Sequence, residues 1–175
     1  MTDEQQADSM SLVGRRMPSQ FFPSTQGNTV DLSDTTLSDY VLFIYPRTGR
    51  PDEPEAAEWA LIPGAKGCSA ESCEFRDLAA DYAKIGFSIF GLSTQATTYQ
   101  QEAAERLHLP YSLLSDPEME LGHQLALDYF AFEGSTLYKR CTLVVRDGVI
   151  TQAHLYIADP ASHPRELLAS LERVR

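Results

Sequence analysis

The chain has 175 residues, 43% of them hydrophobic and 22% charged, which suits one domain with a sizeable core and excludes a disordered chain. Its formal net charge of -11 argues against nucleic-acid and anionic-membrane partners, because a phosphate-binding surface needs clustered Lys and Arg. No apolar run approaches the ~18–20 residues of a membrane span, and Met1 to Met10 lacks the basic-then-apolar character of a secretory leader. The expected location is therefore the cytoplasm, where thiols are kept reduced.

Residues 1–11 are polar and acidic and read as a flexible N-terminal arm, with residues 12–175 as a single domain. Phe21-Phe22, the turn Gln26-Gly27-Asn28 and Thr29-Val30 suit a small hairpin. Tyr40 to Tyr45 is a continuous β-rich apolar run stopped by Pro46, the pattern of a central strand covered on both faces. Residues 46–67 form a connection rich in Pro and Gly, longer than the ~12–15 residues usual for a loop without a function. Within it, Asp52 to Leu61 suits a short helical turn, and Trp59 is either a packing anchor or a lid.

Ser69 to Lys84 predicts a helix, because Phe75, Leu78, Ala79 and Tyr82 fall three or four apart on one face. A second buried strand is expected at Phe87 to Leu92, a helix at Thr97 to Leu107 and a short strand at Tyr111 to Leu114. Ser115-Asp116-Pro117 caps a helix expected to run to about Leu127. Cys141 to Arg146 and Val149 to Ile157 flank Asp147-Gly148, a strong hairpin signal, and Asp159-Pro160 opens a last amphipathic helix. Strands that alternate with helices and close in a hairpin indicate an α/β sandwich with a mixed sheet.

Cys68 falls where a strand-to-loop connection begins a helix, beside unpaired backbone N–H groups and the positive end of the helix dipole. Such a thiol is a candidate for a lowered pKa and a reactive sulfur. Cys73 follows five residues later, and in a reducing compartment a close pair reads as catalytic or metal-bound before it reads as a structural staple. His108, His123, His154 and His163 are dispersed and make no Cys/His cluster with ligand spacing, so neither a metal nor another cofactor is expected. Cys141, inside an apolar strand, reads as a core residue.

Tyr45-Pro46, the loop, Gly67-Cys68-Ser69, Cys73 and Phe75-Arg76-Asp77 together resemble the peroxiredoxins of the bacterioferritin-comigratory or Q type. Pro110-Tyr111-Ser112-Leu113-Leu114-Ser115-Asp116 and Arg140-Cys141-Thr142-Leu143 with Asp147-Gly148 extend that resemblance downstream. It implies a thioredoxin-like three-layer sandwich, a mixed central sheet flanked by helices. It further implies a thiol-dependent peroxidase acting on hydrogen peroxide or organic hydroperoxides. Cys68 would be the attacking thiolate, Cys73 the resolving thiol, Arg140 the charge beside the site, and thioredoxin or a similar dithiol the reductant. A monomer or weak homodimer is expected.

The family pattern is Pro-x-x-x-Thr/Ser-x-x-Cys, and here the sequence departs from it. Pro46 precedes Cys68 by 22 residues and the hydroxyl position is Ala65, so about fifteen residues have entered the loop. Thr48 is the nearest hydroxyl to the proline and the candidate replacement, with Ser69 as its rival. Two other functions stand beside the peroxidase: a thiol–disulfide oxidoreductase, which usually carries Cys-x-x-Cys, and a redox sensor on the same fold.

Overall fold

The computed structural model describes residues 2–174. Its elements, in chain order, are α1 (Asp3–Leu12), β1 (Phe21–Pro23), β2 (Thr29–Asp31), β3 (Asp39–Ile44), a 3-10 turn (Ala57–Leu61) and α2 (Cys68–Lys84). There follow β4 (Phe87–Ser93), α3 (Thr97–Arg106), β5 (Ser112–Ser115), α4 (Glu120–Leu125), β6 (Tyr129–Phe132), β7 (Ser135–Tyr138), β8 (Cys141–Arg146), β9 (Val149–His154) and α5 (His163–Arg173).

Five strands form the central sheet in the order β5-β4-β3-β8-β9. β3 is central because its residues are apolar on both faces, and Val41, Leu42, Phe43 and Ile44 are all fully buried. It runs parallel to β4 and antiparallel to β8, so the sheet is mixed. Alternation along the strands divides the core. Leu42, Ile44, Cys141 and Leu143 face one cluster with Leu12, Leu121 and Leu125, and thus α1 and α4. Val41, Phe43 and Val144 face the other with Phe75, Leu78, Tyr82, Leu167 and Leu171, and thus α2 and α5. Helices on both faces of a mixed sheet make the three-layer, thioredoxin-like sandwich expected from the sequence.

α2 is held down along its middle. Phe75 stacks on Phe43 at 4.7 Å between ring centroids, Tyr82 donates to the Pro164 carbonyl at 2.6 Å, and Tyr111 donates to the Ser72 carbonyl at 2.6 Å. The stretch expected as a flexible arm is instead the helix α1. Thr2 caps it by accepting from the Gln5 N–H at 3.2 Å, and the Gln5 side chain accepts from the Thr2 N–H at 2.8 Å. The helix after Pro117 is shorter than expected, since Asp116 accepts from the N–H groups of Glu120 and Leu121 and α4 ends at Leu125. Residues 129–138 pair as a second hairpin whose turn is Glu133-Gly134, both at positive φ.

Candidate active site

Gly67 sets the start of α2. It occupies the N-cap at φ 102, and a Cβ there would stand 3.0 Å from Pro160 of the β9–α5 loop, so both backbone angle and space require glycine. Cys68 is the first helical residue, 5% exposed, with its thiol toward the Ala65 carbonyl at 3.7 Å.

Arg140 lies one residue before β8. Because neighbouring residues of a strand alternate faces, it projects to the α2 side while Cys141 projects to the opposite core. Its guanidinium is almost completely engaged. Nη2 donates to Cys68 Sγ at 3.0 Å, to the Lys66 carbonyl at 3.1 Å and to the Ala65 carbonyl at 3.3 Å. Nε donates to the Gly64 carbonyl at 3.2 Å, and Nη1 meets Glu71 Oε1 at 2.7 Å in an ion pair whose side chains are 2% and 0% exposed. Thus the end of the long loop and the first turn of α2 are folded around one planar cation, which a lysine cannot replicate.

Burial governs the titration of this cluster. It pushes the Cys68 thiol up, against the Arg140 guanidinium and the Arg47 backbone N–H, which favour the anion. In this closed arrangement burial outweighs those donors, so the direction is upward, opposite to the lowering that the helix start alone would give. Glu71, three residues on, is pushed up to about 7 by burial despite its ion pair, and its Oε2 has no hydrogen-bond partner. Sequence reasoning missed Glu71, because one acidic residue in a first helical turn is commonplace.

Cys73 lies on the same unbroken helix, half-buried and with a free thiol. On such a helix, rise and radius place Cα atoms five residues apart at roughly 8–9 Å. A disulfide needs about 4.4–6.8 Å, so the pair cannot close without unwinding the first turns of α2. Thr48, the candidate replacement for the hydroxyl, is engaged with Gln95. It is buried, and its N–H and hydroxyl go to Gln95 Oε1 at 3.1 and 3.4 Å, and its carbonyl accepts from Gln95 Nε2 at 3.1 Å. Gln95, two residues past the end of β4, is thus the polar partner that the structure gives Thr48. The structure therefore brings Cys68 and Arg140 together, keeps Cys73 one helical segment away, and ties Thr48 elsewhere. No group of three or more metal-ligating side chains occurs among the described residues.

A thiol at a helix start, gripped by a buried arginine on a thioredoxin-like sheet, defines the class, and the comparisons with known proteins agree. The redoxin family model matches residues 12–168, so the chain belongs to that family. More particularly it is a peroxiredoxin of the bacterioferritin-comigratory or Q type. A Mycobacterium tuberculosis peroxiredoxin is 30% identical over 142 residues, 79% of this chain and 82% of that protein. Peroxiredoxin Bcp of Bacillus subtilis is 29% identical over 109 residues; the match spans 62% of this chain and 60% of the relative. The crystal structure of peroxidoxin BcpB from M. tuberculosis superposes with a TM-score of 0.75 at 27% identity, covering 93% of this chain and 97% of that one.

Proposed function

We propose that this protein reduces hydroperoxides with Cys68 as the attacking sulfur and Cys73 as the resolving one. The observation that carries the reading is the 3.0 Å contact from Arg140 Nη2 to Cys68 Sγ at the first residue of α2. A hydroperoxide entering the site brings polar oxygens beside the sulfur and offsets the desolvation that disfavours its charged form. The thiolate attacks one peroxide oxygen and the O–O bond breaks. Cys68 becomes a sulfenic acid, and the other oxygen leaves as water or an alcohol after taking up a proton. Arg140 supplies a fixed positive charge where negative charge passes from sulfur to the departing oxygen. Glu71 keeps that guanidinium in place.

The sulfenic acid then condenses with the Cys73 thiol, releasing water and forming the Cys68–Cys73 disulfide. Loss of the Arg140–Glu71 contact accompanies unwinding of residues 68–74, while Phe75, Leu78 and Tyr82 keep the rest of α2 seated. Two electrons from thioredoxin or a similar dithiol restore both thiols. A reducing cytoplasm suits this cycle, and no helix among the described residues is long and apolar enough to cross a membrane. We assign a monomer or weak homodimer as the working unit, since both proposed thiols belong to one helix. The fold neighbours include a Xanthomonas campestris bacterioferritin comigratory protein whose structures address alkyl peroxide reduction, and organic hydroperoxides accordingly stand beside hydrogen peroxide as substrates here.

The test is mass spectrometry of peroxide-treated protein together with peroxide consumption coupled to thioredoxin. A Cys68–Cys73 disulfide and catalytic turnover are expected. A Cys68–Cys141 bond would remove Cys73 from the mechanism, and turnover on disulfides without peroxide would move the protein to the oxidoreductases.

A further inference from the structure

Both edges of the central sheet are met by other backbone segments. At β5 the Thr25 N–H donates to the Leu113 carbonyl at 3.0 Å, and the Leu113 N–H donates to Thr25 Oγ1 at 3.0 Å. At β9 the Gly14 N–H donates to the Ile150 carbonyl at 2.8 Å, and the Ile150 N–H donates to the Arg15 carbonyl at 2.9 Å. Such covers matter, because an open edge is a template for another strand.

The β6–β7 ribbon treats its two edges differently. Phe132 pairs with Ser135 across the two-residue turn, and turns of this kind are closed by a hydrogen-bonded pair. Phe130 and Phe132 therefore spend their N–H and C=O groups on β7. The Lys139 N–H, which donates to the Asp128 carbonyl at 3.0 Å, continues the same phase. Tyr129 and Ala131 thus aim their main-chain groups away from β7, and no hydrogen bond reaches those groups among the described residues. On the opposite edge the outward carbonyl of Thr136 accepts from Thr94 Oγ1 at 2.8 Å. The β6 edge carries no lysine or proline, and Tyr129 is 57% exposed.

We propose that the open edge of β6 pairs antiparallel with β6 of a second copy of this chain, centred on Phe130. A strand paired with itself in this way is closed by a two-fold axis. Tyr129 then lies opposite Ala131 of the second copy, a large side chain beside a small one. The two such pairs exchange about four hydrogen bonds. Phe130 faces its own copy in the closely spaced, non-hydrogen-bonded position, where aromatic pairs stabilise a ladder. Like charges do not meet: Asp128 falls opposite Phe132 of the second copy and Glu133 opposite its Leu127, while Glu133 Oε2 already stands 3.6 Å from Arg47 Nη1. In a chain of net charge -11, an uncharged strand with its flanking acids out of register is a partner that escapes repulsion. The Thr94 contact occupies the β7 edge, so pairing stops at two copies. Four residues a side make a small contact, and the dimer is correspondingly weak.

The experiment is sedimentation equilibrium of the reduced, full-length protein from about 5 to 500 μM, where a dissociation constant of about 10–100 μM is expected. Ala131→Pro deletes an outward N–H that the hairpin does not use, so it should weaken association about tenfold or more and leave the circular dichroism unchanged. Tyr129→Glu, which places a carboxylate on the edge, should act in the same direction and takes its place if Ala131→Pro fails to fold. Register is read by disulfide trapping in a Cys68→Ser/Cys73→Ser/Cys141→Ala background. A mixture of Tyr129→Cys and Ala131→Cys should cross-link, because opposite Cα atoms stand about 5.5 Å apart. Either variant alone should not, since each residue lies about 9 Å from its own copy. A protein monomeric across the whole range overturns the proposal, as does a dimer that neither Ala131→Pro nor Tyr129→Glu weakens. Self-cross-linking of Tyr129→Cys without cross-linking of the mixture overturns the register centred on Phe130.

Discussion

Cys68 and Cys141 are hidden from solvent to the same degree, 5% and 4% exposed, and they lie on opposite faces of one sheet. Cys141 stands opposite Ile44 in the β3–β8 register, packed among aliphatic side chains, and burial pushes its thiol up to about 12. Burial acts on Cys68 in the same direction, but there it meets a guanidinium at 3.0 Å, a backbone N–H and the start of a long helix. A single residue step along β8 separates the two outcomes, since Arg140 and Cys141 project to opposite sides. What sets the proposed working thiol apart from the core thiol is the set of donors aimed at it, since their exposures are nearly equal.

The largest effect that tests this contrast is removal of each sulfur. Cys68→Ser should abolish peroxide consumption, whereas Cys141→Ala should keep kcat/KM within about twofold and lower stability by about 1 kcal/mol, as a core truncation does. Peroxide turnover and urea unfolding on both variants check this; loss of turnover in Cys141→Ala would end the contrast. Next comes the donor set. Arg140→Lys retains charge but not the planar grip on Cys68, Glu71 and three carbonyls, and a loss of about 10²–10³-fold in kcat/KM for hydrogen peroxide is expected. A tenfold effect or less would show that charge alone is enough.

A third prediction concerns the carboxylate behind the arginine. Glu71 raises the Cys68 pKa and shares Arg140 with it. Glu71→Gln keeps a hydrogen-bond acceptor while removing the negative charge, so the pH midpoint of Cys68 alkylation should fall. A rise would mean that Glu71 acts chiefly by holding Arg140 in place. Oxidation gives the structural counterpart. Amides of residues 68–74 should lose exchange protection in the Cys68–Cys73 disulfide form, while those around Phe75 to Tyr82 keep theirs. Equal protection of residues 68–74 in both forms would sink the unwinding step.

Much of this was legible in the sequence because the relevant features are local. The apolar run at Tyr40 to Tyr45, the helix face of Phe75, Leu78 and Tyr82, and the Asp147-Gly148 turn each report their own conformation. The helix start at Cys68 was equally plain. α1 was missed although Thr2 and Gln5 spell a capping box, because the segment lacks the apolar face that usually announces a helix. Glu71 was out of reach for a different reason. Its partner Arg140 is brought to it by long-range folding, and a charge in a first helical turn does not mark its partner. The partner of Thr48 was hidden in the same way: its proximity to Pro46 was visible, but the Gln95 amide that it meets was not.

The smallest effect tests β8 again, at Thr142, the residue beyond Cys141. Thr142 points to the α2–α5 side, where its hydroxyl meets His163 Nε2 at 3.0 Å, and burial lowers the His163 pKa from 6.5 to about 4. A folded pKa below the unfolded value means that the unfolded chain takes up the proton first. His163 therefore supports the fold fully above pH 6.5, and this support is lost progressively as pH falls toward 4, by up to roughly 3 kcal/mol. Glu71 works the other way: its pKa is raised from 4.5 to about 7, so acidification across that window favours the folded state. The two buried groups oppose each other between pH 6.5 and 4.5. His163→Asn should remove one side of the balance and leave stability, read by urea midpoints at pH 7, 6 and 5, rising on acidification relative to the unsubstituted protein. Parallel pH profiles for the two proteins would place the acid sensitivity outside the β8–α5 contact. The contrast between the two faces of β8 would then rest on the thiols alone.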